Sequence, residues 1–391
     1  MSVYYLPVEA ADAHLLGASD GGDRRVQDLA VFSDSTSGGS APQAAIGDVD
    51  GDGDRELIVG EAGAAAGAAC DRVEVYRIGP AQPAQRLGQF AAFEGSALSG
   101  SSNLAVADVD ASQPGDEIVV GDDGRRRRAS RVRVFGGLAG GGMHLLATFR
   151  AFSSRAAVRR PVAFVLGDVR PDHGAAVKEI VTGDAHGWVH LWGVQQHRAV
   201  RLGRIAAFAQ TPRRSADRLA VGDVLPQQPG DEIIVADDGT RGDGLVRIFA
   251  SSAQTPALEV QAFAPGEAPA GVEVWVADVI ASQPGAELIV GQGSTGGTIR
   301  VLSLASGGAQ QLLELPDPQS RASSLRAHLA VGALMPDLSH NVLAVAQADP
   351  SAPVQVFDLD SGGTVVAQVG SAPSAAGAER EVLIGNIAAA P

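Results

Sequence analysis

Apolar residues in this chain come in short runs bounded by Gly, Asp and Pro, and no apolar stripe recurs at helical spacing over a useful length. One stretch shows the pattern in full. "LAVADV" and "EIVVG" flank the polar loop "DASQPGD", "RVRVF" (131–135) alternates Val with Arg, and "LLATFRAF" (145–152) follows after a Gly-rich segment. Alternation with period 2 marks a strand with one face covered, and a short continuous apolar run marks a strand covered on both faces. The stretch therefore predicts four short strands joined by tight turns such as "GDDG" (121–124).

The same pattern returns along the chain. "AAIGDVDGDGDRELIVG" (44–60) is followed by "LAVADVDASQPGDEIVVG" (104–121), "AFVLGDVRPDHGAAVKEIVTG" (163–183), "LAVGDVLPQQPGDEIIVA" (219–236) and "VWVADVIASQPGAELIVG" (274–291). A degenerate copy is "LAVGALMPDLSHNVLAVA" (329–346), and "VLIGNI" (382–387) has only the first half of the unit. The anchor positions are Asp48, Asp108, Asp168, Asp223, Asp278, Ala333 and Asn386, spaced by 60, 60, 55, 55, 55 and 53 residues. Four antiparallel strands repeated at this spacing describe the blades of a β-propeller. The expectation is an all-β, seven-bladed propeller forming one domain over residues 1–391. "EREVLIGNI" would pair with N-terminal strands drawn from 3–8, 13–19 and 25–32 to close the ring.

An apolar strand, an Asp, a short loop, then an acidic residue and an apolar run ending in Val-Gly resembles the FG-GAP/VCBS repeats of integrin α-subunit propellers and many bacterial propellers. The resemblance covers essentially the whole chain and implies fold more than function, because propellers serve many roles. It also implies that the loop between the first two strands of some blades binds calcium. In "DVDGDGDRE", Asp48, Asp50 and Asp52 would give carboxylates, Gly53 the sharp turn and Asp54 its backbone carbonyl. Glu56 stands where the family usually has Asp. Alternate oxygens around a Gly turn suit a hard cation, and a solvated acidic turn without metal is the alternative. Such an ion, on a loop within a blade, would be structural.

The sister loops "DVDASQPGDE", "DVLPQQPGDE" and "DVIASQPGAE" replace most of these carboxylates with Pro-Gly, which fixes the bend through the backbone. Asp108, Asp110 and Asp116 keep enough oxygens for a weak second calcium site. Asp168, Asp223 and Asp278 are expected to cap loop N–H groups.

Charge changes the picture in one respect. The net charge of −15 opposes nucleic-acid binding, which needs a basic face, yet arginine is concentrated in the segments that join blades. These read "SSRAAVRRP" (Arg155, Arg159, Arg160), "TPRRSADR" (Arg213, Arg214, Arg218) and "SRASSLR" (Arg321, Arg326). In a propeller they share a face with the turns between second and third strands, which are acidic: Asp122 and Asp123, Asp184 with His186, Asp237 and Asp238. Either the two sets pair internally, or the face docks another protein, with Arg159, Arg160, Arg213, Arg214 and Arg326 as contacts. The run Arg125–Arg128 is a solvated turn, a contact with an acidic partner or a protease site.

Other features narrow the function class. Cys70 is the only cysteine, so no intrachain disulfide forms. The first residues carry no basic-then-apolar leader and no 18-residue apolar run is present, which favours a soluble cytoplasmic protein without membrane contact. His186 and His190 do not converge as metal ligands from a turn and a strand, and His144 and His173 stand alone. No nucleophile motif or phosphate loop is found, so an enzyme is not expected. Phe93, Phe152, Phe208 and Phe263 each end a fourth strand about 15 residues before an anchor position and are expected between blades. Trp188, Trp192 and Trp275 would serve a sugar-binding lectin, the alternative to a protein-interaction scaffold. No tryptophan recurs from unit to unit, so the scaffold reading leads.

Overall fold

β-Branched residues dominate the apolar runs, and their alternation lets each strand pack on both sides of a pleated sheet. The computed structural model describes residues 2–4, 25–28, 43–61, 72–79, 82–93, 101–122, 130–138, 142–152, 162–171, 177–209, 215–239, 242–251, 253–292, 298–316, 329–332, 342–345 and 354–369. A two-stranded ladder pairs β1 (Ser2–Tyr4) with β2 (Arg25–Asp28). Six four-stranded antiparallel sheets follow, each a meander in sequence order.

Blade one holds β3 (Gln43–Gly47), β4 (Glu56–Gly60), β5 (Arg72–Gly79) and β6 (Gln82–Ala91). Blade two holds β7 (Ser101–Ala107), β8 (Glu117–Asp122), β9 (Arg131–Gly136) and β10 (His144–Arg150). Blade three holds β11 (Ala163–Gly167), β12 (Glu179–Gly183), β13 (Val189–Gln195) and β14 (Arg198–Ile205). Blade four holds β15 (Leu219–Gly222), β16 (Glu232–Ala236), β17 (Leu245–Ala250) and β18 (Leu258–Gln261). Blade five holds β19 (Val272–Ala277), β20 (Glu287–Gln292), β21 (Thr298–Ser303) and β22 (Gln310–Pro316). Blade six holds β23 (Leu329–Gly332), β24 (Val342–Val345), β25 (Val354–Asp358) and β26 (Thr364–Val369). First strands touch in order, β3 to β7, β7 to β11, β11 to β15, β15 to β19 and β19 to β23, which places them innermost.

The seven-bladed ring expected from the sequence is corrected to six blades. Each blade draws its four strands from one contiguous unit, and β1 pairs with β2 rather than with a C-terminal strand. The half unit at 382–387 lies outside the described residues. Among those residues, no helix is long and apolar enough to cross a membrane.

The core is a series of slabs between blades. In the second strands the pleat sends alternate residues to opposite neighbours. Ile233 packs with Val181, Leu191 and Phe208 of blade three, while Ile234 packs with Val272, Leu288 and Val290 of blade five. Ile118 and Val120 likewise join blade one, and Val119 joins blade three. This is why the second strands carry an unbroken apolar run after their first residue, and why β8, β12 and β16 are buried throughout.

A repeated contact ties the slabs together. Arg133 of β9 donates to the Ala92 carbonyl at 2.7 Å, with its guanidinium 5.2 Å from the Phe93 ring of blade one. Arg247 does the same to Ala207 (2.6 Å) and Phe208 (4.9 Å), and Arg300 to Ala262 (2.6 Å) and Phe263 (4.7 Å). In blade three His190 takes the arginine's place, 6.4 Å from Phe152. The four phenylalanines therefore do lie between blades, each facing a third-strand residue of the next.

The loops after the first strands interlock as well. The Asp116 N–H donates to the Asp48 carbonyl at 2.6 Å, Lys178 to Asp108 at 2.8 Å, Asp231 to Asp168 at 2.7 Å and Ala286 to Asp223 at 2.7 Å. The Pro-Gly turns serve this contact. Gly230 has φ +82°, and a Cβ there would come within 2.9 Å of the Asp168 carbonyl. Only glycine meets both conditions without strain.

Candidate functional site

The acidic loop between β3 and β4 is held open by its own first residue. Asp48 Oδ1 accepts from the Gly51 and Asp52 N–H groups (2.7 and 3.1 Å), and Oδ2 accepts from Gly53 N–H (3.0 Å). Gly51 and Gly53 have φ of +74° and +95°, which turns successive N–H groups inward. Asp52 Oδ1 accepts from Asp54 N–H at 2.9 Å. Glu56, the first residue of β4, is fully buried, and its Oε2 accepts from Val49 N–H at 3.2 Å.

Carboxylate oxygens of Asp48, Asp50 and Glu56 lie within 4.8 Å of one another, so this trio could coordinate a metal ion. Among the described residues it is the one such group. Asp52 and Asp54, two of the five expected ligands, are exposed and outside it. A hard cation of calcium's size places its oxygens at 2.3–2.6 Å in roughly this spread, so the trio fits one.

A cation of the chain's own already stands at this loop, and it was not legible in the acidic run. Arg77, near the end of β5, donates from one Nη to Asp50 Oδ2 and to Asp52 Oδ2, both at 2.5 Å. Its Nε stands 3.5 Å from Glu56 Oε1. The guanidinium thus offsets repulsion among carboxylates that the sequence left unanswered. Even so, burial first and Asp50 second push the Glu56 carboxyl up to about 7, and burial and then Asp52 raise Asp50.

Glu56 is the first of five equivalent glutamates. Glu117, Glu179, Glu232 and Glu287 also open second strands and are buried. Each uses Oε2 to cap the loop before it: Glu117 from Val109 and Asp110 (2.9 and 2.9 Å), Glu179 from Arg170 (3.1 Å). Glu232 accepts from Val224 and Leu225 (3.0 and 2.9 Å), and Glu287 from Val279 and Ile280 (2.9 and 3.1 Å). Burial is the main cause that pushes Glu117 up to about 8 and Glu179 and Glu232 up to about 7, and that raises Glu287. In blade one Asp48 shares this capping with the glutamate, taking three N–H groups to the one that Glu56 takes.

The second calcium site at Asp108, Asp110 and Asp116 is not assembled as a trio. Asp116 Oδ2 instead accepts from Asp48 N–H at 3.0 Å, and Asp110 Oδ2 accepts from His197 N–H at 2.9 Å. Each carboxylate serves a neighbouring blade. Asp231 repeats the Asp116 contact by accepting from Asp168 N–H at 2.8 Å.

These contacts also sort the loops by face. The Asp110 loop meets the turn between β13 and β14, and Gln227 donates to Ala305 in the turn between β21 and β22. On the opposite face Val162 N–H donates to the Asp122 carbonyl (2.9 Å), Ala216 to Asp184 (2.8 Å) and Val272 to Asp237 (2.9 Å). Blade-joining segments and the turns between second and third strands therefore share one face. Asp122, Asp184 and Asp237 are buried there rather than displayed. Asp184 accepts from His186 and Trp188 N–H through Oδ1 (2.8 and 3.0 Å) and faces His190 through Oδ2 (3.4 Å). Arg218, within this face, pairs with Glu273 of blade five. Arg159, Arg160, Arg213, Arg214, Arg326, Asp123, His173 and the Arg125–Arg128 run lie outside the described residues.

The tryptophans are not brought together. Trp188 stacks on Arg204 (4.3 Å), Trp192 on Phe149 of blade two (4.6 Å), and Trp275 joins the slab between blades five and six. No shared sugar platform results from them.

No family model and no curated protein matches the sequence. Solved structures do match in shape. A chain of the BBS1N–ARL6DN complex aligns with TM-score 0.52 at 12% identity, covering 83% of this chain and 81% of that one. A chain of the mitotic checkpoint complex aligns at 0.52 and 13%, covering 89% and 87%. A chain of the COPII outer coat vertex on membranes aligns at 0.54 and 11%, covering 84% and 74%. The fold is a β-propeller. At these identities the likeness carries the architecture alone.

Proposed function

We propose that this chain is a non-enzymatic propeller scaffold, a binding subunit that recognises another protein through the face bearing its blade-joining loops. Arg159, Arg160, Arg213, Arg214 and Arg326 would be the principal contacts. The observation that carries the reading is the concentration of arginine in those loops in a chain of net charge −15. The structure adds support: Asp184 on that face is committed to its own turn and to His190. Three of the solved structures it resembles come from assemblies, a two-protein complex, a coat and a checkpoint complex.

Residues 1–391 are read as one domain of FG-GAP/VCBS-type repeats, and the Asp48 loop as a structural calcium site. Asp48, Asp50 and Glu56 would hold the ion, with Asp52 and the Asp54 carbonyl at its margin. Calcium there would supply charge neutralisation across blade one and no reaction.

The docking face is tested by charge reversal. Changing Arg159, Arg160, Arg213 and Arg214 to Glu is expected to abolish capture of the partner from native lysate while leaving the melting temperature within about 2 °C, the scale of surface substitutions. Unfolding of the variant would show that these arginines pair internally, and retained capture would place the working surface elsewhere.

A further inference from the structure

The Asp48 loop contains two competing solutions to one electrostatic problem. Glu56 is fully buried, and its Oε1 accepts no hydrogen bond while facing the loop, 3.5 Å from Arg77 Nε. That oxygen is buried without a hydrogen bond, and the Arg77 guanidinium is the charge that answers it. The metal-capable trio is Asp48, Asp50 and Glu56, whereas the Arg77 set is Asp50, Asp52 and Glu56. Asp50 and Glu56 belong to both. A divalent ion on the trio and a guanidinium on the same two carboxylates would repel each other at close range.

We propose that Arg77 is a tethered cation that competes with a divalent metal ion for Asp50 and Glu56, and so sets the affinity and reversibility of the site. The inference rests on the metal reading of this loop. Arg77 stays within reach because β5 lies beside β4 in register, Leu57 opposite Tyr76, which brings the arginine next to the loop. Its side chain is partly exposed, so it can swing into solvent when a metal arrives, leaving Asp52 behind on the rim. The loop would then keep its shape without metal. Metal would then tune the loop rather than build it.

The test is calcium titration by calorimetry of the full chain, as wild type, Arg77→Gln and Arg77→Lys, with thermal melts in calcium and in chelator. The expected result is calcium binding at least tenfold tighter in Arg77→Gln than in wild type, and a smaller gain in Arg77→Lys, whose ammonium cannot bridge two carboxylates in the plane of a guanidinium. The Arg77→Gln melt should fall in chelator and recover in calcium. Equal affinity in all three proteins, or weaker binding in Arg77→Gln, overturns the competition while leaving the metal reading intact. If no protein binds calcium, and Arg77→Gln melts alike with and without it, both fail. Should Arg77→Gln not fold, Arg77→Lys decides alone, and unchanged affinity there overturns the inference.

Discussion

Glu232 tests how the blades hold their loops. It is 1% exposed, its Oε2 serves Val224 and Leu225 N–H groups, and its Oε1 is buried without a hydrogen bond. Changing it to Ala strands two buried donors. At about 1–3 kcal/mol for each lost partner, the cost should be about 2–5 kcal/mol. Changing it to Gln keeps an acceptor for both donors and removes a charge that burial, Asp223 and Asp231 all oppose. The sign of the pH effect follows from the raised carboxyl, about 7 folded against 4.5 ordinarily. Between these values the folded protein binds more protons than the unfolded one, so stability at this site is greatest in acid and falls as pH rises through that window. A loss on the order of 1–3 kcal/mol is expected from pH 5 to pH 8 at this position. Glu232→Gln should be close to wild type in urea unfolding at pH 5 and more stable than wild type at pH 8. A Gln variant equally destabilised at both pH values, or more so at pH 8, would refute the reasoning.

Arg247→Met keeps the apolar stem but loses the Ala207 carbonyl bond and the Phe208 contact, and should cost about 1–3 kcal/mol by urea unfolding. Arg247→Lys should recover only part of that loss, because an ammonium cannot stack on Phe208 as a plane. If calcium binds the folded loop alone, chelator should lower the melting temperature of the wild type and Asp50→Ala should abolish the response; melts that ignore calcium in both the wild type and Arg77→Gln would leave the loop as an acidic turn.

The six repeated units were legible because paired apolar runs recur in order, five of them around an anchor Asp, and the period-2 pattern of "RVRVF" matches the observed half-covered β9. The blade count was not, because a repeat of the apolar pattern does not say which strands share a sheet: β1 pairs with β2, and each blade is complete within its own unit. Arg77 escaped notice because it lies 27 residues from Asp50 in sequence, and only the pairing of β4 with β5 brings it beside the loop. The link from Asp116 to Asp48 was hidden for another reason: its second half is a backbone carbonyl, which every residue offers. Conversely, the sequence pattern suggested metal ligands at Asp108, Asp110 and Asp116 because carboxylate spacing cannot tell a cation from a neighbouring blade's N–H.

The central claim is that the face of the blade-joining loops is the one that binds. Hydrogen–deuterium exchange of the chain, free and saturated with its captured partner, tests this directly. The account predicts slowed exchange in segments 153–161, 210–214 and 317–328, with the loops at 111–115, 225–230 and 281–286 on the opposite face unchanged. Protection confined to that opposite face would contradict it.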